Sequence, residues 1–257
     1  MNFRKLVKDR AQLCGTHVSL TDPAISEIFG AVGFDYLWID MEHTELTPEI
    51  VHRHIMAAKS QGTPCLVRVP VHDLTNTKRL LEIGPDAIVF PMVQNYEDAK
   101  ELLSWTLYPP FGKRGCGPRN AVRYGLDDEV YYRNQGHIEK MARLVMIETQ
   151  TAVDDIEKIA SLAYLDGVIV GMFDLSGSIN QLGNIYCEKN IEMLKKVIAS
   201  CKKHKISCGI SLTASDTETI KFFYDLGVNM ISVGADTDWL GRGAKVAREN
   251  LRKIQGK

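Results

Sequence analysis

The chain alternates between short runs of apolar residues and longer amphipathic segments along its whole length. Helical patterns such as TPEIVHRHIMAAKSQ and NIEMLKKVIASCKKHK follow the apolar runs. Continuous apolar runs joined by helices are typical of buried parallel strands. Eight such units predict the α/β class and a single (β/α)8 barrel domain, a TIM barrel, over residues 1–257. The eight runs are residues 13–20, 34–40, 64–69, 87–93, 143–148, 167–172, 207–212 and 230–236.

Two features qualify this regular pattern. A doubly wound open sheet is the competing fold, but no GxGxxG motif follows the first apolar run. The connection at residues 108–142 is longer than the others and begins with YPPFGKRGCGPRN. We expect a loop–helix insertion there, with an extra helix in DDEVYYRNQGHIEKMA. The last predicted helix spans about residues 238–255.

Composition narrows the class of protein. Hydrophobic residues make up 45% and charged residues 25%, and the net charge of −1 gives no reason to expect binding to nucleic acid or to an anionic membrane. The N-terminus lacks the apolar core of a signal peptide, and no run is long enough to cross a membrane, so we expect a cytoplasmic protein. The six cysteines form no CxxC pair and are expected to be free thiols.

Titratable residues follow several of the predicted strands at their carboxyl ends. In a (β/α)8 barrel these ends meet at one face, the mouth, where active sites are built. The predicted strand 34–40 leads into three such groups in the stretch YLWIDMEH. Those three groups could bind a metal, act as acid and base, or solvate the strand end. The mouth residues are Asp40, Glu42, His43, Arg68, Glu148 and Asp174.

Four of these residues also have a structural alternative. Glu148 could open the next helix, Asp174 could cap the segment that follows it, and Asp40 could bond the local backbone. Arg68 lies inside the apolar run PCLVRV, where a charge is costly unless it is paired or used. The expected convergence on one mouth favours function over these separate alternatives.

Glu148 and Asp174 have no cysteine or histidine beside them, which suits an oxygen-preferring ion such as Mg²⁺ or Mn²⁺, and also Co²⁺. Two protein ligands leave room for a chelating 2-oxo acid. Arg68 would then face the oxygen on which negative charge develops, and His43 would act as the base. A Schiff-base mechanism would require a lysine on a strand, and none of the eight apolar runs contains one.

The motifs GFDYLWIDMEH, VRVP, LLEIGPDAIVFPMVQN, YPPFGKRG, MIET and DLS occur in an order that resembles the HpcH/HpaI aldolase family. That family comprises metal-dependent class II pyruvate aldolases of the PEP/pyruvate barrel superfamily. The resemblance runs from about residue 13 to about residue 245. It implies cleavage of a 4-hydroxy-2-oxo acid to pyruvate and an aldehyde through a metal-stabilised enolate. It also implies a homo-oligomer, typically a hexamer, in which the C-terminal helix can be exchanged between subunits.

The resemblance also implies roles for single residues. His43 matches the base, Arg68 the arginine that stabilises the enolate, and Glu148 and Asp174 the metal ligands. Backbone N–H groups around Phe173 and Asp174 would hold the pyruvate carboxylate. The position of Glu82 matches an acid that orients the histidine, while Asp40 and Glu42 would set the position and charge of His43.

Several positions depart from the family pattern and bear on the substrate. Met146 replaces a glutamine, Met172-Phe173 replaces Pro-Ala, and Ser211 stands where leucine is common. We expect Phe173, Met146 and Ser211 to line the substrate pocket. These departures leave two alternatives beside the aldolase. One is a Claisen-type condensation on an acyl thioester, as in citrate synthesis, and the other is a catalytically weak paralogue that binds a keto acid.

Overall fold

The eight strands form a closed, parallel barrel in sequence order, which confirms the predicted (β/α)8 fold. The structure, a computed structural model, describes residues 2–117, 119–127, 136–213 and 216–256. Within these ranges no helix is long and apolar enough to cross a membrane. The strands are β1 (Leu13–Val18), β2 (Tyr36–Asp40), β3 (Cys65–Arg68), β4 (Ala87–Val93), β5 (Ala142–Ile147), β6 (Gly167–Val170), β7 (Ser207–Leu212) and β8 (Met230–Ala235).

Helices connect the strands on the outside of the barrel. The first six are α1 (Phe3–Lys8), α2 (Ala24–Val32), α3 (Pro48–Ser60), α4 (Leu74–Ile83), α5 (Tyr96–Ser104) and α6 (Gly136–Lys140), with a 3₁₀ helix at Asn120–Gly125 before α6. The others are α7 (Gln150–Asp154), α8 (Ile156–Ala160), α9 (Met172–Gly177), α10 (Glu188–His204), α11 (Thr217–Leu226) and α12 (Asp236–Ile254).

Local sequence sets the ends of these helices. The Thr47 side chain accepts a hydrogen bond from the Ile50 N–H, and Pro48 occupies the first turn of α3. Gly84 ends α4 with φ of 80°, and Gly227 ends α11 with φ of 104°. Glycine reaches this left-handed region without the steric cost paid by other residues, so these positions turn the chain from helix back to strand.

The core has two parts that follow from strand alternation. Alternate strand residues fill the barrel interior, among them Tyr36, Trp38, Leu66, Leu144 and Met146. The residues between them face the helices and join the larger outer core. Every residue of β2 is buried, as expected for a parallel strand covered on both faces.

The barrel end opposite the mouth is closed by α1, a helix that the sequence analysis did not predict. Arg4 on α1 is buried and donates through Nε to both carboxylate oxygens of Asp166, at 3.1 and 3.0 Å. The buried Arg143 on β5 bonds the carbonyl oxygens of His137, Ile138 and Met141, which ties the end of the insertion to the barrel. These two arginines are therefore structural.

Three predicted segments can be compared with the structure in more detail. The helix predicted across TAVDDIEKIASL is two helices, α7 and α8, because the chain turns at Asp155, whose carboxylate accepts the Tyr96 N–H at 2.7 Å. In the insertion, residues 128–135 of the predicted extra helix lie outside the described residues, and α6 covers its end. The C-terminal helix α12 is exposed over most of its length.

Candidate active site

Arg68 is the centre of the polar cluster at the mouth. It ends β3 opposite Asp40, its register partner on β2. Nε and Nη2 of Arg68 donate to the two carboxylate oxygens of Asp40 at 2.8 and 2.6 Å. Nη1 lies 3.0 Å from Oε2 of Glu42. The side chains of all three residues are at most 10% exposed, so the arginine is fixed by two buried carboxylates.

Burial and the charge of Arg68 have opposite effects on the pKa values of Asp40 and Glu42. Burial alone would raise the pKa of Asp40, but the hydrogen bonds and charge of Arg68 outweigh it and lower that pKa below its ordinary value. Burial raises the pKa of Glu42 above its ordinary value, and the charge of Arg68 offsets this only in part. Asp40 is therefore an ionised partner that holds the arginine through two hydrogen bonds.

This geometry corrects the predicted role of Asp40. The expected contact of Asp40 with His43 is not formed, because the two carboxylate oxygens of Asp40 accept hydrogen bonds from Arg68 and from the Glu42 N–H. His43 has a side chain that is 67% exposed, with Nε2 3.7 Å from Oε2 of Glu42. Glu42 is therefore the acid beside the predicted base, and Asp40 acts on the arginine.

Glu148, which directly follows β5, is a third buried carboxylate of the site. Its Oε2 accepts a hydrogen bond from the Met92 N–H at 2.7 Å. Burial and the nearby carboxylates of Glu42 and Asp174 together raise the pKa of Glu148 to about 7, although the Met92 N–H and the charge of Arg68 act to lower it. Gly171 makes room for this side chain, because a Cβ at residue 171 would lie 2.6 Å from Oε1 of Glu148.

The Met92 N–H reaches Glu148 through an irregularity in β4. The pairing between β4 and β5 shifts register between Phe90 and Val93. Met92 lies in this bulge with φ of 56°, in the left-handed region that residues with a Cβ rarely adopt. The bulge therefore directs a backbone donor at the carboxylate.

Asp174 and Phe173 lie in the first turn of α9, which begins directly after β6 and Gly171. The Phe173 side chain is 46% exposed at the mouth. The charge of Asp174 acts on both Glu42 and Glu148, so three carboxylates share this side of the mouth. In the described part of the chain, no group of three or more His, Cys, Asp or Glu residues is arranged as a metal site.

Met146 and Ser211 also line the mouth. The Sδ atom of Met146 lies 3.8 Å from Nη1 of Arg68, so a thioether contacts the arginine in this pocket. Ser211 on β7 has Oγ 2.8 Å from Nε2 of His17 on β1. His17 was not among the predicted site residues. Its signal was a polar side chain at an inward-facing position of the first apolar run, two residues beyond Gly15.

The structure does not bring Glu82 to His43 within one chain. Glu82 lies near the end of α4, and barrel helices run antiparallel to the strands, so it is at the end opposite the mouth. Its Oε1 is 3.8 Å from Nη2 of Arg114. With His52 and Arg119 it lines a cavity of about 350 Å³. The predicted orientation of His43 by Glu82 is therefore not made inside the monomer.

Known proteins share the sequence pattern of this chain. The sequence pattern of the HpcH/HpaI aldolase/citrate lyase family matches residues 13–241. The 5-keto-4-deoxy-D-glucarate aldolase of Klebsiella pneumoniae is 31% identical over 223 residues, which is 86% of this chain and 85% of that protein. The 4-hydroxy-2-oxovalerate aldolase of Novosphingobium aromaticivorans is 31% identical over 248 residues, 95% of this chain and 91% of that protein.

A solved structure extends the match to three dimensions. An HpcH/HpaI aldolase/citrate lyase family protein from Burkholderia cenocepacia superposes with a TM-score of 0.89 and 29% identity, covering 98% of this chain and all of that one. The match extends over nearly the whole chain. The chain therefore belongs to the HpcH/HpaI aldolase/citrate lyase family.

Proposed function

We propose that this chain is a carbon–carbon lyase that cleaves a 4-hydroxy-2-oxo acid into pyruvate and an aldehyde. Family membership and two relatives named as aldolases, each 31% identical, support this reaction class. The observation that carries the proposal is Arg68, a buried arginine held by Asp40 and Glu42 beside the carboxylates of Glu148 and Asp174. Such a fixed donor can stabilise an oxyanion without reorganising during the reaction.

The residues at the mouth fit a divalent cation. Glu148 is buried near two other carboxylates, and its pKa of about 7 shows that its ionised form is disfavoured there. A bound cation would stabilise that ionised form. We propose Glu148 and Asp174 as ligands of Mg²⁺ or Mn²⁺, with Co²⁺ as an alternative. When bound, the ion supplies Lewis-acid polarisation of the keto oxygen.

The side chains have separate tasks in the proposed reaction. His43 accepts the proton of the 4-hydroxyl group, the C3–C4 bond breaks to release the aldehyde, and its electron pair forms the enolate of pyruvate. Arg68 donates to the enolate oxygen, held in position by Asp40. The N–H groups of Phe173 and Asp174, in the first turn of α9, bind the pyruvate carboxylate. A proton returned to C3 gives the methyl group of pyruvate.

An oligomer would complete the part of the site that the monomer lacks. His43 is exposed and meets no carboxylate of Glu82 in its own chain, so that contact can form only between copies. The α12 helix offers a surface for assembly, since Leu240, Val246, Leu251 and Ile254 are each at least 56% exposed. We propose a homo-oligomer, with a hexamer and exchange of α12 as the specific form.

The test is aldol addition by the purified protein. Metal-free protein is given Mg²⁺, Mn²⁺ or Co²⁺ with pyruvate and a panel of aldehydes, and the 4-hydroxy-2-oxo acid is detected by mass spectrometry. The same reaction with Glu148→Gln is expected to give no product, and the exposed Glu97→Gln variant is the control. Condensation of acetyl-CoA with oxaloacetate in place of aldol product would replace the proposal with the thioester reaction. Binding of pyruvate without any product would replace it with a keto-acid-binding protein.

A further inference from the structure

His17 lies at the mouth although none of the proposed catalytic steps uses it. Gly15 and His17 share the inward-facing side of β1 with Leu13, which belongs to the interior core. The His17 ring stacks on Trp38 of β2, with ring centroids 4.5 Å apart and planes 22° from parallel. Its Nε2 lies 2.8 Å from the hydroxyl of Ser211. We refer to these two polar residues as the His17–Ser211 pair.

Trp38 connects this pair to the proposed catalytic arginine. The strand β2 lies between β1 and β3, so Trp38 stands between His17 and Arg68. The Cζ atom of Arg68 is 5.5 Å from the centre of the Trp38 ring. His17 and Ser211 are both only partly buried, unlike the interior residues below them. His17 therefore lies next to the arginine, across the barrel from β5 and Glu148, and its partner Ser211 extends the pair to β7.

The pair offers hydrogen bonds without a net charge. Burial and the charge of Arg68 lower the pKa of His17 to about 4, against the opposite effect of Asp40 and Asp236. The imidazole is therefore neutral near pH 7 and offers one donor and one acceptor, of which Ser211 uses one. The hydroxyl of Ser211 adds a further donor or acceptor.

The rest of the mouth disfavours a second anion. The charges of Asp40, Glu42 and Glu148 act on the guanidinium of Arg68, and Asp174 adds a fourth carboxylate that acts on Glu42 and Glu148. Two of them already hold that guanidinium and the enolate oxygen is its proposed further acceptor, so it has no role left in pairing with a carboxylate on the aldehyde. An alkyl aldehyde would be disfavoured for another reason, because it would cover the pair and leave its polar atoms unpaired.

We infer that the His17–Ser211 pair determines specificity for the aldehyde, selecting aldehydes that carry a neutral hydroxyl group beside the carbonyl. This inference rests on the proposed aldolase function and narrows its substrate class to hydroxyaldehydes. A site built to hydrogen-bond a substrate hydroxyl discriminates strongly against the analogue that lacks it.

The experiment compares three two-carbon aldehydes in aldol addition of pyruvate. The group on the carbonyl carbon is a hydroxymethyl group in glycolaldehyde, a methyl group in acetaldehyde and a carboxylate in glyoxylate. The readout is the ratio of kcat/KM for glycolaldehyde to kcat/KM for each of the others. Enolate formation is common to all three reactions, so the ratio cancels changes in that step. We expect the wild type to favour glycolaldehyde over acetaldehyde by about 100-fold.

Two variants assign this preference to the pair. His17→Phe keeps a ring against Trp38 and removes both nitrogens, and Ser211→Ala removes only the hydroxyl. Each is expected to lower the ratio at least tenfold, whereas Ser161→Ala, which removes an exposed hydroxyl far from the mouth, should leave it unchanged. Ser211→Ala keeps the test valid if His17→Phe does not fold.

Three results would overturn the inference. The wild type could favour acetaldehyde or glyoxylate, or both folded variants could keep the wild-type ratio. If His17→Phe lowered kcat/KM equally for all three aldehydes, His17 would belong to enolate formation and would not select the aldehyde. A wild type that adds pyruvate to none of the aldehydes would refute the proposed function itself, and the inference with it.

Discussion

The Arg68→Ala substitution tests the arginine as both a structural and a catalytic group. The structure gives Arg68 three contacts with Asp40 and Glu42, whose side chains are 8% and 9% exposed. Removing the arginine leaves two buried carboxylates without a counter-charge. Breaking a buried ion pair in this way costs about 3–5 kcal/mol of folding free energy. Losing a preorganised donor to an oxyanion costs about 10²–10³ in kcat.

The two effects can be separated by a second substitution. Asp40→Asn in the Arg68→Ala background removes one of the stranded charges and should recover part of the lost stability. It should recover none of the turnover, because the donor to the enolate is still absent. Urea unfolding gives the stability, and the rate of pyruvate release from a 4-hydroxy-2-oxo acid gives kcat. Arg53→Ala, which removes an arginine from an exposed pair with Glu49, is the control.

The reasoning would be refuted by either of two results. Folded Arg68→Ala protein that keeps more than about a tenth of wild-type kcat would exclude the proposed electrostatic role. A loss of stability no larger than that of Arg53→Ala, about 0.3–0.5 kcal/mol for an exposed helical pair, would show that the buried ion pair is not formed.

Three further predictions concern Glu148. The pKa of Glu148 is raised from 4.5 to about 7 in the folded protein, so its contribution to the stability of the metal-free protein is complete below pH 4.5. As the pH rises to 7, the free energy of unfolding should fall by about 3 kcal/mol relative to that of Glu148→Gln, measured by urea unfolding at each pH. Parallel pH curves for the two proteins would contradict this. Met92→Gly should keep the metal affinity of the wild type, because glycine accepts the left-handed φ of 56°. Met92→Val should lower the metal affinity measured by calorimetry about 10–100-fold, because valine disfavours this φ and the N–H that bonds Glu148 would shift. Equal affinities of the two variants would be evidence against the bulge as a positioning element. Gly171→Ala should weaken metal binding by a similar factor, because the new Cβ would lie 2.6 Å from Oε1 of Glu148. Gly241→Ala is the control, since its new Cβ would have no neighbouring atom within 4 Å, and it should leave metal binding unchanged. Unchanged metal binding by Gly171→Ala would mean that Glu148 can move.

The fold could be predicted from the sequence because its signal is repeated eight times. Each strand is a run of buried apolar residues and each helix has its own amphipathic period, so single errors do not change the topology. The helix α1 was missed because it precedes the first strand and lies outside this repeat. It is held by the contact of Arg4 with Asp166, which is 162 residues away. A contact between such distant residues leaves no local pattern.

Arg68, Glu148 and Asp174 could be placed at one mouth from the sequence, because the carboxyl ends of barrel strands meet there. That reasoning did not predict which of the side chains form hydrogen bonds with each other. Whether Asp40 bonds His43 or Arg68 depends on the register of β2 and β3, which sets Asp40 opposite Arg68. His17 was overlooked because one polar residue in an apolar strand gives no spacing motif. The left-handed Met92 could not be foreseen, since glycine or asparagine usually marks that conformation.

The measurement that tests the central claim most directly is exchange of the pyruvate methyl hydrogens in D₂O, followed by proton NMR. The protein is stripped with EDTA and then given Mg²⁺, Mn²⁺ or Co²⁺, so that no aldehyde has to be known. The account predicts exchange that depends on the added metal and is lost in Glu148→Gln. Absence of exchange with every metal, in folded protein shown by calorimetry to bind that metal, would contradict it.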